Sequence, residues 1–181
     1  MIYLDNPATT IKKPKLVLDA MYRNTVHYSV NTGRGTHFAS LAGAKGIVEA
    51  QEELAELFNI QEPWRIAFTQ NATYALNMAI AGLLKEGDHA IVTSMEHNSV
   101  LRPVHKTCDY TVVWADRWGR IKPEEIENAI RENTRLVAIT HASNVCGTVM
   151  PVEEIGKICE RHNIPLLLDA AQTAGDNYCG C

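Results

Sequence analysis

Residues 135–172 read RLVAITHASNVCGTVMPVEEIGKICERHNIPLLLDAAQ. RLVAIT at 135–140 and PLLLD at 165–169 are apolar runs with no polar alternation, and PVEEIGKICERH at 151–162 between them reads as a helix. Strand, helix, strand in this order is a βαβ unit, and continuous apolar strands are those covered by helices on both faces. The same rhythm extends backwards. RIAFT (65–69), HAIVTS (89–94) and YTVVWA (110–115) read as strands. ATYALNMAIAGLL (72–84), a short segment after His97 and KPEEIENAIREN (122–133) read as helices. The expectation is an α/β fold: a mostly parallel sheet sandwiched by helices. Nearer the start, Pro14 to about Asn24 reads as a helix with proline near its first turn. The glycine-rich YSVNTGRGTHF (28–38) reads as a loop, and Ser40–Phe58 as a helix with Leu41, Ala44, Ile47, Val48, Leu54 and Leu57 at helical spacing.

The chain has 181 residues, enough for one sizeable core. Its net charge of -4 and pI near 6.0 argue against a nucleic-acid surface, since the basic cluster Lys12, Lys13 and Lys15 is too short for one. No segment has the apolar length of a membrane span, and MIYLDNPATT lacks a signal-peptide core, so a cytoplasmic location is expected. Five scattered cysteines do not form a disulfide framework; Cys108, Cys146 and Cys159 read as reduced, partly buried thiols.

Ligands of open α/β sheets bind outside the carboxyl ends of the strands. Four polar clusters follow four strands: Thr69–Thr73, Glu96–Asn98, His141–Asn144 and Asp169–Gln172. Small residues at Ala72 and Thr73 would let a phosphate reach free amides at a helix start. Asn71 or Thr73 could equally be only a cap. His97 could stack on a flat ligand or shuttle a proton, or be a satisfied structural histidine. Asn144 could bond a ligand hydroxyl or hold its own turn. Asp169 ends a buried strand, where a carboxylate is costly without a cation or donors. A protonated pyridine nitrogen, as in pyridoxal phosphate (PLP), is such a cation, and a helix cap is the competing role.

Other site types fit poorly. Gly33 and Gly35 open a dinucleotide-like pattern, but Phe38 stands at the third glycine and no strand precedes it. No Walker lysine loop is present, and an inverted zincin motif would need histidine where Thr93 stands. No His or Cys pair has convincing metal spacing, so no metal site is expected.

Together the stretches YLDNPATT (3–10), GRGTH (33–37), FTQNATYALN (68–77), TSMEHNSVLRP (93–103), THASNVCGTVMP (140–151) and LLLDAAQTAG (166–175) resemble, in order, the cysteine desulfurase group of class V aminotransferases, PLP enzymes of fold type I. The resemblance implies a PLP-dependent transferase large domain, here incomplete. It divides the chain into an N-terminal arm, helix and active-site loop (1–38), a PLP-binding portion (39–175) and a divergent tail, DNYCGC (176–181). It implies that Ala72 and Thr73 hold the cofactor phosphate and that His97 stacks on the ring and assists proton transfer. Asn144 would lie near the ring hydroxyl and substrate, Asp169 would pair with the pyridinium, and Gln172 would bond the ring hydroxyl. Asn6, Arg34 and His37 fall in loops near the active site of such enzymes.

The sequence departs from this pattern at Pro7, usually alanine, and Tyr74, usually glutamate. The Schiff-base lysine, the sulfur-accepting cysteine and the carboxylate-binding arginine belong to a later part of such enzymes. Every lysine here, from Lys12 to Lys157, precedes Asp169. Cys179 and Cys181 read better as part of a truncated or frameshifted tail than as a metal pair. The resemblance therefore implies sulfur removal from L-cysteine, giving alanine and a persulfide, by the full-length enzyme, which would be a homodimer serving a sulfur-acceptor protein. The chain itself is expected to bind PLP weakly, to be inactive alone, and to expose apolar surface. A non-catalytic interaction module, or one half of a split PLP enzyme, is the alternative.

Overall fold

The computed structural model describes residues 2–3, 6, 8–33 and 35–175. Arg34, Pro7 and the tail with Cys179 and Cys181 lie outside the described residues. The described chain separates into two compact units, one up to Phe68 and one from Thr69.

The first unit contains α1 (Lys15–His27), α2 (Phe38–Leu57) and a 3-10 turn at Pro63–Arg65. α2 starts where His37 Nδ1 accepts the Ser40 N–H at 3.3 Å. Its Gln51 Nε2 donates to Ile66 O at 2.7 Å, tying the helix to the segment after the 3-10 turn. α1 has no buried residue; Leu16 is 81% and Tyr22 70% exposed. The apolar surface expected from the sequence is therefore present on this helix. RIAFT is not a strand. Ile66 has extended dihedrals, but no ladder neighbour pairs with the segment among the described residues, and extended backbone becomes a strand only by pairing.

The second unit alternates helix and strand: α3 (Ala72–Leu83), β1 (His89–Thr93), α4 (Asn98–Thr107), β2 (Asp109–Val113), α5 (Pro123–Asn128), β3 (Thr134–Thr140), α6 (Val152–Arg161) and β4 (Leu166–Asp169). The four strands pair in the order β2-β1-β3-β4, every pair parallel. Successive residues of β1 and β3 point to opposite faces. Ile91, Val137 and Ile139 join Ile126 of α5 and Ile155 and Cys159 of α6 on one face. Ala90, Val92, Leu136 and Ala138 join Leu76 and Ile80 of α3 and Val100 and Val104 of α4 on the other. Helices thus cover both faces, as the unbroken apolar runs require.

α5 is shorter than the 122–133 expected from its sequence. Ala129 and Ile130 N–H groups bond three residues back, to Ile126 O and Glu127 O. The Arg131 amide is then captured by the Thr134 hydroxyl at 2.7 Å, a turn that stops the helix. The same hydroxyl meets His89, which is fully buried at the start of β1. His89 Nδ1 lies 2.9 Å from Thr134 Oγ1, and Nε2 lies 2.9 Å from Thr111 Oγ1. Both hydroxyls also accept from Arg131, Thr134 from its amide and Thr111 from its Nη2 at 3.0 Å. Burial, with Arg131 second, lowers the pKa of His89.

No described helix is long and apolar enough to cross a membrane. Leu136 is fully buried between the central strands and the α3–α4 layer. Leu136→Ala should lower the unfolding free energy by about 2–5 kcal/mol, because a cavity is added to the lost transfer energy. Urea unfolding of the two proteins checks this.

Candidate functional site at the carboxyl edge of the sheet

Because every strand pair is parallel, Thr93, Thr140 and Asp169 end β1, β3 and β4 on one edge. Thr140 and Asp169 are partners in register, and His141 N–H donates to Asp169 O at 2.9 Å. α3 runs back into β1 through a short turn, so its N-terminus returns towards this edge. Asn77 of α3 reaches the first turn of α4, donating to Ser99 O at 3.2 Å.

The start of α3 is built to leave donors free. Asn71 is the cap, its Oδ1 accepting the Tyr74 N–H at 2.9 Å. The Ala72 and Thr73 amides are among the first of a helix and have no intrahelical acceptor, and both residues are exposed. No acidic side chain stands in the first turn to oppose an anion. Of the two roles weighed from sequence, Asn71 takes the capping one, which leaves the Ala72 and Thr73 amides without an intrahelical acceptor.

His97 takes the structural role weighed from sequence. It caps α4, with Nδ1 accepting the Ser99 N–H at 3.2 Å and lying 2.7 Å from Ser99 Oγ. In the neutral ring the proton is then on Nε2, and the side chain is exposed. Asn144 is exposed in the turn after β3. That turn is shaped by Ser143, whose Oγ accepts the Val145 and Cys146 amides, and by Gly147 at φ +70. Asp169 is buried, and its Oδ1 accepts the Ala171 N–H at 3.0 Å. Gln172 is half-buried in the turn that follows. His141 Nδ1 and Thr173 Oγ1, 2.8 Å apart, join this turn to the end of β3. In the first unit, Asn6 is exposed and His37 is occupied as the α2 cap.

Glu96 carries no signal in the sequence beyond its place in a polar cluster. It is buried, with Oε1 accepting from Thr93 Oγ1 at 2.7 Å and from Thr140 N–H at 3.0 Å. Its Oε2 is buried without a partner. Burial is the largest cause raising its pKa, from 4.5 to about 7, and the Asp169 charge adds to it against the hydrogen bonds. The ion pairs among the described residues leave both acids out. The edge therefore offers a buried acid with no protein cation among the described residues, beside free helix amides.

The thiols differ from the partly buried set expected. Cys108 is half-buried and Cys159 buried, but Cys146 is exposed in the Ser143–Gly147 turn beyond the end of β3. Hydrogen bonds from Ser143, then Thr148, lower the Cys146 pKa to about 7, while burial raises Cys159 to about 11. No group of three His, Cys, Asp or Glu side chains suited to a metal occurs among the described residues.

A parallel α/β unit with polar residues at its strand ends is an open-sheet fold, the kind in which ligands sit at the carboxyl edge. More particularly, the chain belongs to the aminotransferase class-V family, whose profile matches residues 2–178. A probable cysteine desulfurase of Methanothermobacter thermautotrophicus is 39% identical over 179 residues, 96% of this chain and 44% of that protein. The solved structure of SspA in complex with cysteine superposes with a TM-score of 0.87 at 33% identity, over 94% of this chain and 51% of that one. A C-DES mutant with glycine covalently linked to the PLP cofactor has a TM-score of 0.73 at 26% identity, over 89% of this chain and 44% of that one. The family is PLP-dependent, and this chain spans about half or less of the length of these relatives. The residues present fit that cofactor: free amides for a phosphate, and an acid without a cation for a ring nitrogen.

Two outcomes follow. Alkylation by iodoacetamide should modify Cys146 first and Cys159 last, with the Cys146 rate rising through about pH 7 as the thiolate forms; mass mapping at several pH values reads this. The raised pKa of Glu96 favours the folded state fully below pH 4.5 and loses that advantage as pH rises through about 7. Stability relative to Glu96→Gln should thus fall across that window, by on the order of 3 kcal/mol. Urea unfolding of both proteins at several pH values measures it.

Proposed function

We propose that this chain carries the cofactor-binding portion of a PLP-dependent enzyme that removes sulfur from L-cysteine, giving alanine and a persulfide. The observation that supports this best is the occurrence, on one sheet edge, of the uncapped Ala72 and Thr73 amides and of Asp169, which has no cation among the described residues. The similarity to SspA, whose structure was solved in complex with cysteine, supports the substrate class. When bound, PLP supplies an electron sink for a substrate carbanion. The chain's own residues do the rest of this half of the work. Ala72 and Thr73 donate to the phosphate. Asp169 keeps the ring nitrogen protonated by facing it as a carboxylate. His97 lies over the ring, its Nε2 free to hold or pass a proton because Ser99 occupies Nδ1. Asn144 and Gln172 bond the ring hydroxyl and orient the ring. The family resemblance would give Asn6, Arg34 and His37 roles towards the substrate.

In this reading residues 39–175 form the cofactor-binding portion, and 1–38 supply the arm, helix and active-site loop. The lysine that holds PLP covalently, the sulfur-accepting cysteine and the arginine for the substrate carboxylate belong to a part of the family's enzymes that this chain does not span. Alone, the chain is inactive and binds PLP weakly. The full-length form is a cytoplasmic homodimer of fold type I that hands sulfur to an acceptor protein. The exposed apolar residues of α1 favour a second reading, in which the chain is one half of a split enzyme completed by another chain.

Titration of the purified chain with PLP, followed by borohydride reduction and mass measurement, tests the proposal. Weak, reversible binding with no covalent adduct is expected, and Asp169→Ala should weaken it further. A stable adduct on one lysine would overturn the claim of inactivity.

A further inference from the structure

Glu96 stands between the two side chains on which the cofactor reading depends. Its carboxyl hangs from the turn after β1 and reaches the last amide of β3, Thr140. Thr140 is the register partner of Asp169, and the residue after Glu96 is His97, the cap of α4. One side chain therefore connects the segment that carries His97 to the strand pair that carries Asp169.

The geometry also favours its uncharged form. The Thr93 hydroxyl and the Thr140 amide both donate to Oε1. Thr93 Oγ1 in turn accepts the Met95 N–H at 3.1 Å. Oε2 is sealed from solvent and meets no donor. An ionised carboxylate would leave that oxygen uncompensated next to the Asp169 charge, whereas a protonated acid keeps Oε1 as acceptor and carries its hydrogen on Oε2. Thr93 and Thr140 are uncharged, and Asp169 is the charged group that acts on Glu96 from β4.

We propose that Glu96 is a positioning residue: in its uncharged form it clamps the turn bearing His97 onto the end of β3 and adds no second negative charge beside Asp169. It touches no reacting atom. The proposal rests on the cofactor reading only for its purpose, not for the clamp itself.

The test uses the whole chain, labelled with 13C and 15N, with Glu96→Gln and Glu96→Asp beside it. Glutamine reproduces the acceptor at Oε1 and a neutral group at Oε2, whereas aspartate is one methylene too short to bridge. Titrated from about pH 4 to about pH 9, the Glu96 carboxyl carbon should change near the raised value of about 7. The Thr140 amide should remain protected from hydrogen exchange in Glu96→Gln and exchange on the order of tenfold faster in Glu96→Asp. The His97 ring nitrogens and the Asp169 amide should shift together in the aspartate variant and keep their positions in the glutamine variant. A carboxyl midpoint at the ordinary value, or equal Thr140 exchange in all three proteins, overturns the proposal. So does an aspartate variant that moves neither His97 nor Asp169. If aspartate does not fold, the wild-type titration and the glutamine variant still decide. Failure of the wild-type chain to bind PLP while this pattern holds would count against the cofactor reading and leave the clamp standing.

Discussion

The double-sided burial of β1 and β3 is the constraint from which the remaining structure follows. Ala90, Ile91 and Val92 leave no solvent-facing side. Neither do Leu136, Val137, Ala138 and Ile139. Such strands need helices above and below, which forces crossover connections and hence parallel pairing. Parallel pairing gathers the strand exits on one edge. The polar residues at those exits become neighbours for that reason, although they are far apart in the chain.

That edge combines two kinds of group that water would otherwise satisfy. The opening amides of α3 have no partners within their helix, and Asp169 has no cation among the described residues. A ligand with an anionic arm and a cationic ring answers both. Structural bonds occupy only part of these side chains: His97 gives one nitrogen to its helix, and Asp169 gives one oxygen to the Ala171 amide. Each anchored atom fixes the direction of the atom left over.

Much of this was legible in the sequence because it rests on local patterns. The strands HAIVTS, RLVAIT and PLLLD, the helices after the first two and the residues at the strand exits all emerge from periodicity and from the rule that ligands sit at strand ends. What was not legible depended on partners elsewhere in the chain. RIAFT has strand composition but no neighbour to pair with among the described residues. The end of α5 is decided by the Thr134 hydroxyl, which belongs to the next strand. Glu96 looked like one more polar residue beside His97. Its importance lies in the Thr140 amide, 44 positions away, and in an oxygen that nothing reaches. Cys146 lost its expected cover for a similar reason: burial is a property of surroundings, not of the residue.

His89 and Glu96 sit at opposite ends of β1 and answer acid in opposite senses. The lowered pKa of His89 means that stability is lost as pH falls through and below 6.5, when the unfolded chain takes up a proton the buried ring resists. The raised pKa of Glu96 makes stability fall as pH rises from 4.5 towards 7. Over their shared range the two slopes oppose each other. A nearly level stability curve in mild acid would therefore not mean that the sheet is indifferent to protons. It would be a balance between a base sealed in at one end of a strand and an acid sealed in at the other, and disturbing either one would tilt it.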